Sequence, residues 1–193
     1  VLFRSVIGQI KKAKSTPSII SLEDLPKISF IVAAYNEELI LDEKIRNFST
    51  LDYPEDKIEI LIGSDGSQDR TNEILKNSPA HITEVLNQVN RGKAAVLNQL
   101  VALAGGDILV FCDANTMLER NTLLKLVSHY RNPKIGGVSG RLILRDSGDF
   151  SLSQGESIYW RMESEIKRLE SNLGVLMGVN GALYSVRKEL FKP

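Results

Sequence analysis

Asp113-Ala114-Asn115 sets two oxygen-bearing side chains one residue apart, directly after the apolar run Ile108–Cys112. A carboxylate and an amide oxygen at that spacing can both face a hard cation such as Mg²⁺ or Mn²⁺, and such a cation neutralises a diphosphate. Taken alone, the tripeptide reads first as a turn in which Asp113 and Asn115 cap the next segment. Asp65 also follows an apolar run, inside Ser64-Asp65-Gly66-Ser67. Its carboxylate can accept a hydrogen bond from a base N–H, and Gly66 permits close backbone approach. A plain strand-to-helix turn uses the same residue types. Lys93, after Asn90-Arg91-Gly92, can set a positive charge against phosphate at a helix start, with a solvated surface lysine as the alternative. Asn98, further along, suits either the core or the surface.

Regular alternation of elements would position these groups. Ile28–Ala34 is a short continuous apolar run, the pattern of a strand buried on both faces. Asn36 is expected to cap a helix with Glu37 and Glu38 in its first turn, a buried stripe of Leu39, Ile40, Ile45 and Phe48, and a stop near Asp52-Tyr53-Pro54. Ile58–Ile62 reads as a second strand, followed by a helix capped by Asp69 and stopped at Pro79. Ile82–Leu86 is a third strand, Lys93–Leu103 a helix closed by Gly105-Gly106, Ile108–Cys112 a fourth strand, and Asn121–Tyr130 another helix. This is an α/β pattern, with a mostly parallel sheet flanked by helices. Ligands bind such sheets beyond the carboxyl ends of the strands, which directs attention to Tyr35-Asn36-Glu37, Asp65-Gly66-Ser67 and Asp113-Ala114-Asn115. Past Gly136 the spacing predicts a strand over Val138–Leu144, a charged amphipathic helix over Gly155–Leu169 and a strand over Ala182–Val186. The sequence reaches Pro193 just two residues past Arg187–Phe191, where a helix is expected to open, so the domain is expected to be incomplete at its C-terminus.

The 193 residues carry 24 Lys+Arg against 24 Asp+Glu, a net charge of zero that argues against an electrostatic grip on nucleic acid. A lone cysteine, Cys112, excludes an internal disulfide framework and points to a reducing compartment. Two histidines leave little for a His/Cys metal site. His81 and His129 sit in helix-end contexts, and Ser64, Ser67 and Cys112 have no histidine base nearby in sequence. Cys112 reads as a small buried hydrophobe. There is no G-x-x-x-x-G-K-[ST] and no G-x-G-x-x-G after the first strand, which excludes P-loop NTPases and dinucleotide oxidoreductases. No apolar run reaches the ~20 residues that cross a bilayer; Ala94–Cys112 is interrupted by Asn98, Gln99, Gly105, Gly106 and Asp107. Residues 1–26 form a leader, either poorly ordered or a basic surface helix.

Five ordered segments together resemble the nucleotide-sugar-binding half of a family-2 inverting glycosyltransferase with the GT-A fold. They are Ile31–Glu38, Ser64–Thr71, Asn90–Asn98, Phe111–Thr116 and Gly178–Arg187, and the likeness runs from Lys27 to the C-terminus. The resemblance implies that the strand end at Ala33, Ala34, Tyr35 and Glu37, with Asp65, holds the uracil and ribose of a UDP-sugar. It places Lys93 near the nucleotide, Asp113 and Asn115 in the metal-binding D-x-D, and Asn180 and Gly181 on the acceptor side. Two departures stand out: Ser64 replaces the first of two adjacent aspartates, and Asn115 replaces the second aspartate of D-x-D. An amide oxygen carries no charge, so metal affinity should be weaker and more dependent on the donor.

The family's general base is an aspartate soon after the segment resembling Gly178–Phe191, and so is expected beyond Pro193. The resemblance thus implies inverting sugar transfer from a UDP-sugar to a saccharide or lipid-linked acceptor with Mn²⁺ or Mg²⁺. It further implies a polysaccharide synthase at the cytoplasmic face of the membrane, anchored by segments outside this chain. A non-catalytic nucleotide-sugar-binding or interaction module is the alternative. A sugar nucleotidyltransferase needs a Gly-rich, Arg/Lys-bearing loop after its first strand, unlike Tyr35-Asn36-Glu37-Glu38.

Overall fold

Six strands build one sheet in a computed structural model that describes residues 22–140, 166–167, 169–170 and 181–193. They are β1 (Ile28–Ala34), β2 (Ile58–Asp65), β3 (Ile82–Asn87), β4 (Ile108–Asp113), β5 (Gly137–Ser139) and β6 (Leu183–Arg187), in the order β3-β2-β1-β4-β6-β5. β1 to β4 are mutually parallel, and β6 runs antiparallel to both β4 and β5. Register brings Ala34 opposite Ser64, Ala33 opposite Asp113 and Asp65 opposite Asn87, so the carboxyl ends of four strands share one edge. This is the mostly parallel, helix-flanked α/β sheet that the alternation predicts.

Both sheet faces are covered, which is why the strands read as continuous apolar runs. On one face Phe30, Val32, Ile60, Ile62 and Val110 pack with Leu41, Ile45 and Phe48 of α1 (Leu41–Phe48) and Leu123, Leu126 and Val127 of α4 (Thr122–Ser128). On the other, Ile31, Leu61, Leu109 and Phe111 meet Val96 and Leu100 of α3 (Lys93–Leu103). Gly63 permits that contact, because a Cβ there would fall 2.4 Å from Val96 Cγ1. Phe111 stacks on Tyr184 and Phe191, at 4.7 and 5.5 Å between ring centroids, and ties the antiparallel β6 to the parallel sheet.

The helix after β1 differs from expectation. It begins at Leu41, because Asn36 adopts φ 54° and its side chain accepts the Gln68 N–H instead of capping. The Glu37 carbonyl takes the Ile40 and Leu41 N–H groups and starts the coil. Leu39 consequently points to solvent at 94% exposure, and the buried stripe is Leu41, Lys44, Ile45 and Phe48. The helix closes at Phe48, short of Asp52-Tyr53-Pro54. β2 continues three residues beyond Ile62, and α2 (Thr71–Lys76) ends before Pro79, with Asp69 Oδ1 accepting the Thr71 N–H at 2.9 Å. α4 is shorter than Asn121–Tyr130 and passes into a 3-10 turn over His129–Arg131. A 3-10 turn over Lys188–Leu190 stands where a helix was expected to open.

The chain divides into two units, one of residues 17–140 and 180–193 that holds the sheet, and one of residues 1–16 and 141–179. In the second, residues 166–167 and 169–170 are helical. The rest of the predicted Gly155–Leu169 helix, the end of the predicted Val138–Leu144 strand and most of the leader lie outside the described residues. Leu25 is buried in the core, and Tyr53 donates its hydroxyl to the Pro26 carbonyl at 2.6 Å. Among the described residues no helix is long and apolar enough to cross a membrane.

Candidate functional site

The loops after β1 and β2 are joined by reciprocal hydrogen bonds. Asn36 N–H donates to Ser67 Oγ (3.1 Å), Gln68 N–H to Asn36 Oδ1 (2.9 Å), Glu37 N–H to Thr71 Oγ1 (2.8 Å) and Glu38 N–H to Asp69 Oδ2 (3.1 Å). Arg70 N–H returns to Glu38 Oε2 at 3.0 Å, and the Ser64 hydroxyl donates to Ser67 Oγ at 2.9 Å. Ser64, which stands in place of the first of two adjacent aspartates, is therefore buried and occupied within its own loop. Asparagine tolerates the left-handed conformation better than most residues, which suits Asn36 to the reversal after β1. Tyr35 remains 47% exposed beside this seam, whereas the Ala34 side chain is in the core, so Ala34 meets the edge through its backbone. Partial burial pushes the Glu37 carboxyl above its ordinary value, and the negative charges of Asp113 and Asp69 add to the effect.

Asp65 is only 3% exposed. Its two oxygens accept the N–H groups of Arg91 (2.8 Å) and Gly92 (2.9 Å), fastening the β3–α3 loop to the tip of β2. Gly66, at φ 69°, allows the approach: a Cβ there would lie 2.5 Å from the Asn90 nitrogen. Gly92, at φ 89°, then turns the chain into α3, and its carbonyl accepts the Ala95 N–H. Lys93 is thus delivered at the first position of the helix. Asn98 is exposed on the same helix.

From there Lys93 reaches across the sheet edge and donates its ammonium to Asp113 Oδ1. Asp113 ends β4, its N–H directed to the Ala182 carbonyl at 3.3 Å. Gly181 borders the pair, and a Cβ there would stand 3.9 Å from both Asp113 Oδ2 and Lys93 Nζ. Asn115 is exposed in the following turn, closed by Thr116 N–H to the Asp113 carbonyl at 3.2 Å. Asn180 lies outside the described residues.

These groups fit a hard divalent cation. Asp113 already holds a positive charge on its carboxylate, in the form of the Lys93 ammonium, and an amide oxygen lies two residues on. Among the described residues no cluster of three His, Cys, Asp or Glu side chains could cage an ion. Such a site suits Mg²⁺ or Mn²⁺ held by one or two protein oxygens together with substrate phosphates.

One residue of this region carries no signal in a sequence pattern. Lys44 of α1 is completely buried and donates to the Thr116 carbonyl (2.5 Å) and to Cys112 Sγ (3.1 Å). Burial lowers its basicity, and burial likewise pushes the Cys112 thiol up. The available signal is position: residues 41, 44, 45 and 48 fall on one helical face, but a lysine in an apolar stripe reads as a solvated side chain.

The family model for glycosyl transferase family 2 matches residues 29–192. Poly-beta-1,6-N-acetyl-D-glucosamine synthase of Staphylococcus epidermidis is 31% identical over 171 residues, which cover 86% of this chain and 40% of that protein. The chain thus spans well under half the length of the curated relatives it matches. The mannosyltransferase PcManGT from Pyrobaculum calidifontis, solved in complex with GDP-Man and Mn²⁺, superposes with a TM-score of 0.76 at 25% identity, over 98% of this chain and 52% of that one. TarS of S. aureus, solved with UDP-GlcNAc, shares the fold at a TM-score of 0.56 and 20% identity over 66% of this chain and 37% of that one. The sheet order, the helices on both faces and these superpositions identify the GT-A fold. With the family model running from β1 to the last turn of the described structure, the chain belongs to glycosyl transferase family 2.

Proposed function

We propose that this chain is the donor-binding part of a glycosyltransferase that moves a sugar from a nucleoside diphosphate, with inversion, to a hydroxyl of a saccharide or lipid-linked acceptor. The observation that carries this reading is the Lys93–Asp113 pair at the carboxyl edge of the parallel sheet, beside Gly181. In the proposal residues 27–193 are the catalytic domain, continued beyond Pro193, and residues 1–26 its leader. A divalent cation, Mn²⁺ or Mg²⁺, would supply charge neutralisation for the diphosphate.

Asp113 and Asn115 would hold that cation through a carboxylate and an amide oxygen. Lys93, released from Asp113, would turn its ammonium to the phosphate oxygens, a charge-assisted contact. Tyr35, Glu37, the backbone at Ala34 and the loop fastened by Asp65 would flank the nucleoside. Asn180 and Gly181 would border the acceptor, the glycine standing within ordinary contact distance of the ion pair. Inverting transfer needs a carboxylate that takes the acceptor's proton. Among the described residues none at this edge takes that role in our reading, and we assign the base to a position beyond Pro193. A UDP-sugar is the favoured donor, in line with the likeness to a poly-N-acetylglucosamine synthase, and the setting would be polysaccharide synthesis at the cytoplasmic membrane face.

Calorimetry with UDP and with GDP, each with and without Mn²⁺, tests the reading. Binding of UDP should strengthen with Mn²⁺, and Asp113→Ala should abolish that gain. Preference for GDP would reassign the donor, and a Mn²⁺ effect that survives in Asp113→Ala would remove Asp113 from the metal site.

A further inference from the structure

Lys44 is an expensive residue in its place. Lysine is almost never fully buried without a partner that repays its desolvation, yet Lys44 has no exposed surface. Its amine lies 5.4 and 5.3 Å from the ring centroids of Phe30 and Phe48, and it donates to one carbonyl and one thiol. An unbranched apolar side chain such as methionine would fill the same slot between the two rings without burying a polar head. Packing therefore does not explain a lysine here.

The geometry of its two acceptors does. Cys112 is the residue before Asp113-Ala114-Asn115, and Thr116 is the residue after it. We propose that Lys44 is a positioning residue for this turn: its buried amine bridges the two ends, fixing the directions of the Asp113 carboxylate and the Asn115 amide before any cation arrives. The turn itself is closed by Thr116 N–H to the Asp113 carbonyl and by the Cys112 thiol, 3.4 Å from the Asp113 carbonyl and 3.7 Å from the Thr116 carbonyl, and the amine adds its own donors to the Thr116 carbonyl and the Cys112 sulfur. All the groups that touch the amine are acceptors or π faces, so it acts as donor throughout. The Asp113 charge is felt at the buried amine, while the exposed Lys93 pairs with the carboxylate directly. Partners that orient a metal ligand without touching the metal are worth roughly 10–100-fold in affinity. The inference rests on the reading of Asp113 and Asn115 as cation ligands.

The test is Lys44→Met, which keeps side-chain length and removes the donors. Mn²⁺ binding to the chain is followed by electron paramagnetic resonance with UDP present, together with UDP affinity in the absence of metal and the melting temperature. The expected result is a folded variant with unchanged metal-free UDP affinity and a Mn²⁺ affinity about tenfold weaker. Leu123→Ala, a core truncation on α4 that removes neither bond of the clamp, should lower the melting temperature and leave Mn²⁺ affinity alone. Wild-type Mn²⁺ affinity in Lys44→Met, or an equal loss in Leu123→Ala, overturns the proposal. Should Lys44→Met fail to fold, Cys112→Ala decides: removal of the amine's sulfur acceptor, together with the thiol's own contacts to the Asp113 and Thr116 carbonyls, should weaken Mn²⁺ measurably, and no change refutes the clamp. If the wild-type chain binds UDP but no Mn²⁺, the reading of the cation site falls first, and the clamp with it.

Discussion

Lys93→Met should change Mn²⁺ and UDP binding in opposite directions. Without nucleotide, Lys93 and a divalent cation would compete for the Asp113 carboxylate. The two side chains of the pair are 54% and 33% exposed, so the pair belongs with partly screened surface ion pairs worth about 0.2–1 kcal/mol. Removing the ammonium should tighten Mn²⁺ binding to the nucleotide-free chain by that amount, roughly 1.4- to 5-fold. With nucleotide bound, the same ammonium would contact the diphosphate, and a hydrogen bond to a charged group contributes about 1.5–3 kcal/mol. UDP affinity should therefore fall roughly 10- to 150-fold. Added salt should shrink the first effect, because the competing pair is screened. Paramagnetic resonance titration of Mn²⁺ alone, then calorimetry with UDP at fixed Mn²⁺, reads the two. If Mn²⁺ binding without nucleotide stays equal or weakens, Lys93 does not exchange between carboxylate and phosphate, and the reasoning fails.

Asn115→Asp adds a charge to an exposed turn position and should tighten Mn²⁺ in the presence of UDP; equal affinities in a manganese titration would leave Asn115 as a turn residue only. Glu37→Gln should stabilise the fold at neutral pH. A carboxyl held above its ordinary 4.5 by burial and by Asp113 and Asp69 contributes stability below that value and loses it as pH rises through the folded pKa. Urea unfolding at pH 7 and pH 4 should then show an advantage for the variant that closes at the lower pH. Gly66→Ala combines a positive φ with a Cβ 2.5 Å from the Asn90 nitrogen, and should cost about 1–3 kcal/mol in urea unfolding while loosening the loop that delivers Lys93.

The sheet was legible because both of its faces are covered. Strands buried on two sides appear as uninterrupted apolar runs, and β1, β3 and β4 fall within a residue of the expected bounds. α3 matches from Lys93 to Leu103 because glycines bracket it. The β1–α1 junction was misread for a local reason. Asn36 and Glu37 carry the chemical signature of a helix start, but their polar groups answer Gln68, Ser67 and Thr71 some thirty residues away. A capping signal is local, and here a long-range partner outcompetes it, so the helix begins four residues later.

The same distinction separates the parts of the candidate site that a sequence reveals from those it hides. Asp65, Lys93 and Asp113 were visible because each follows a recognisable apolar run or glycine, and that places a residue at a sheet edge. What a run cannot state is direction. Asp65 is turned inward, onto two backbone amides, and contributes by holding the loop that aims Lys93. Lys44 is the extreme case: its type says solvent, its helical position says core, and only the fold shows which wins. A buried donor at an apolar position has to be repaid by something specific. Here it finds the two ends of the Asp113-Ala114-Asn115 turn, and bridges them. Preorganised ligands avoid the cost of ordering when a ligand arrives, so in the proposed reading the turn bridged by Lys44 would seat the cation, and the exposed Lys93 would be the moving part.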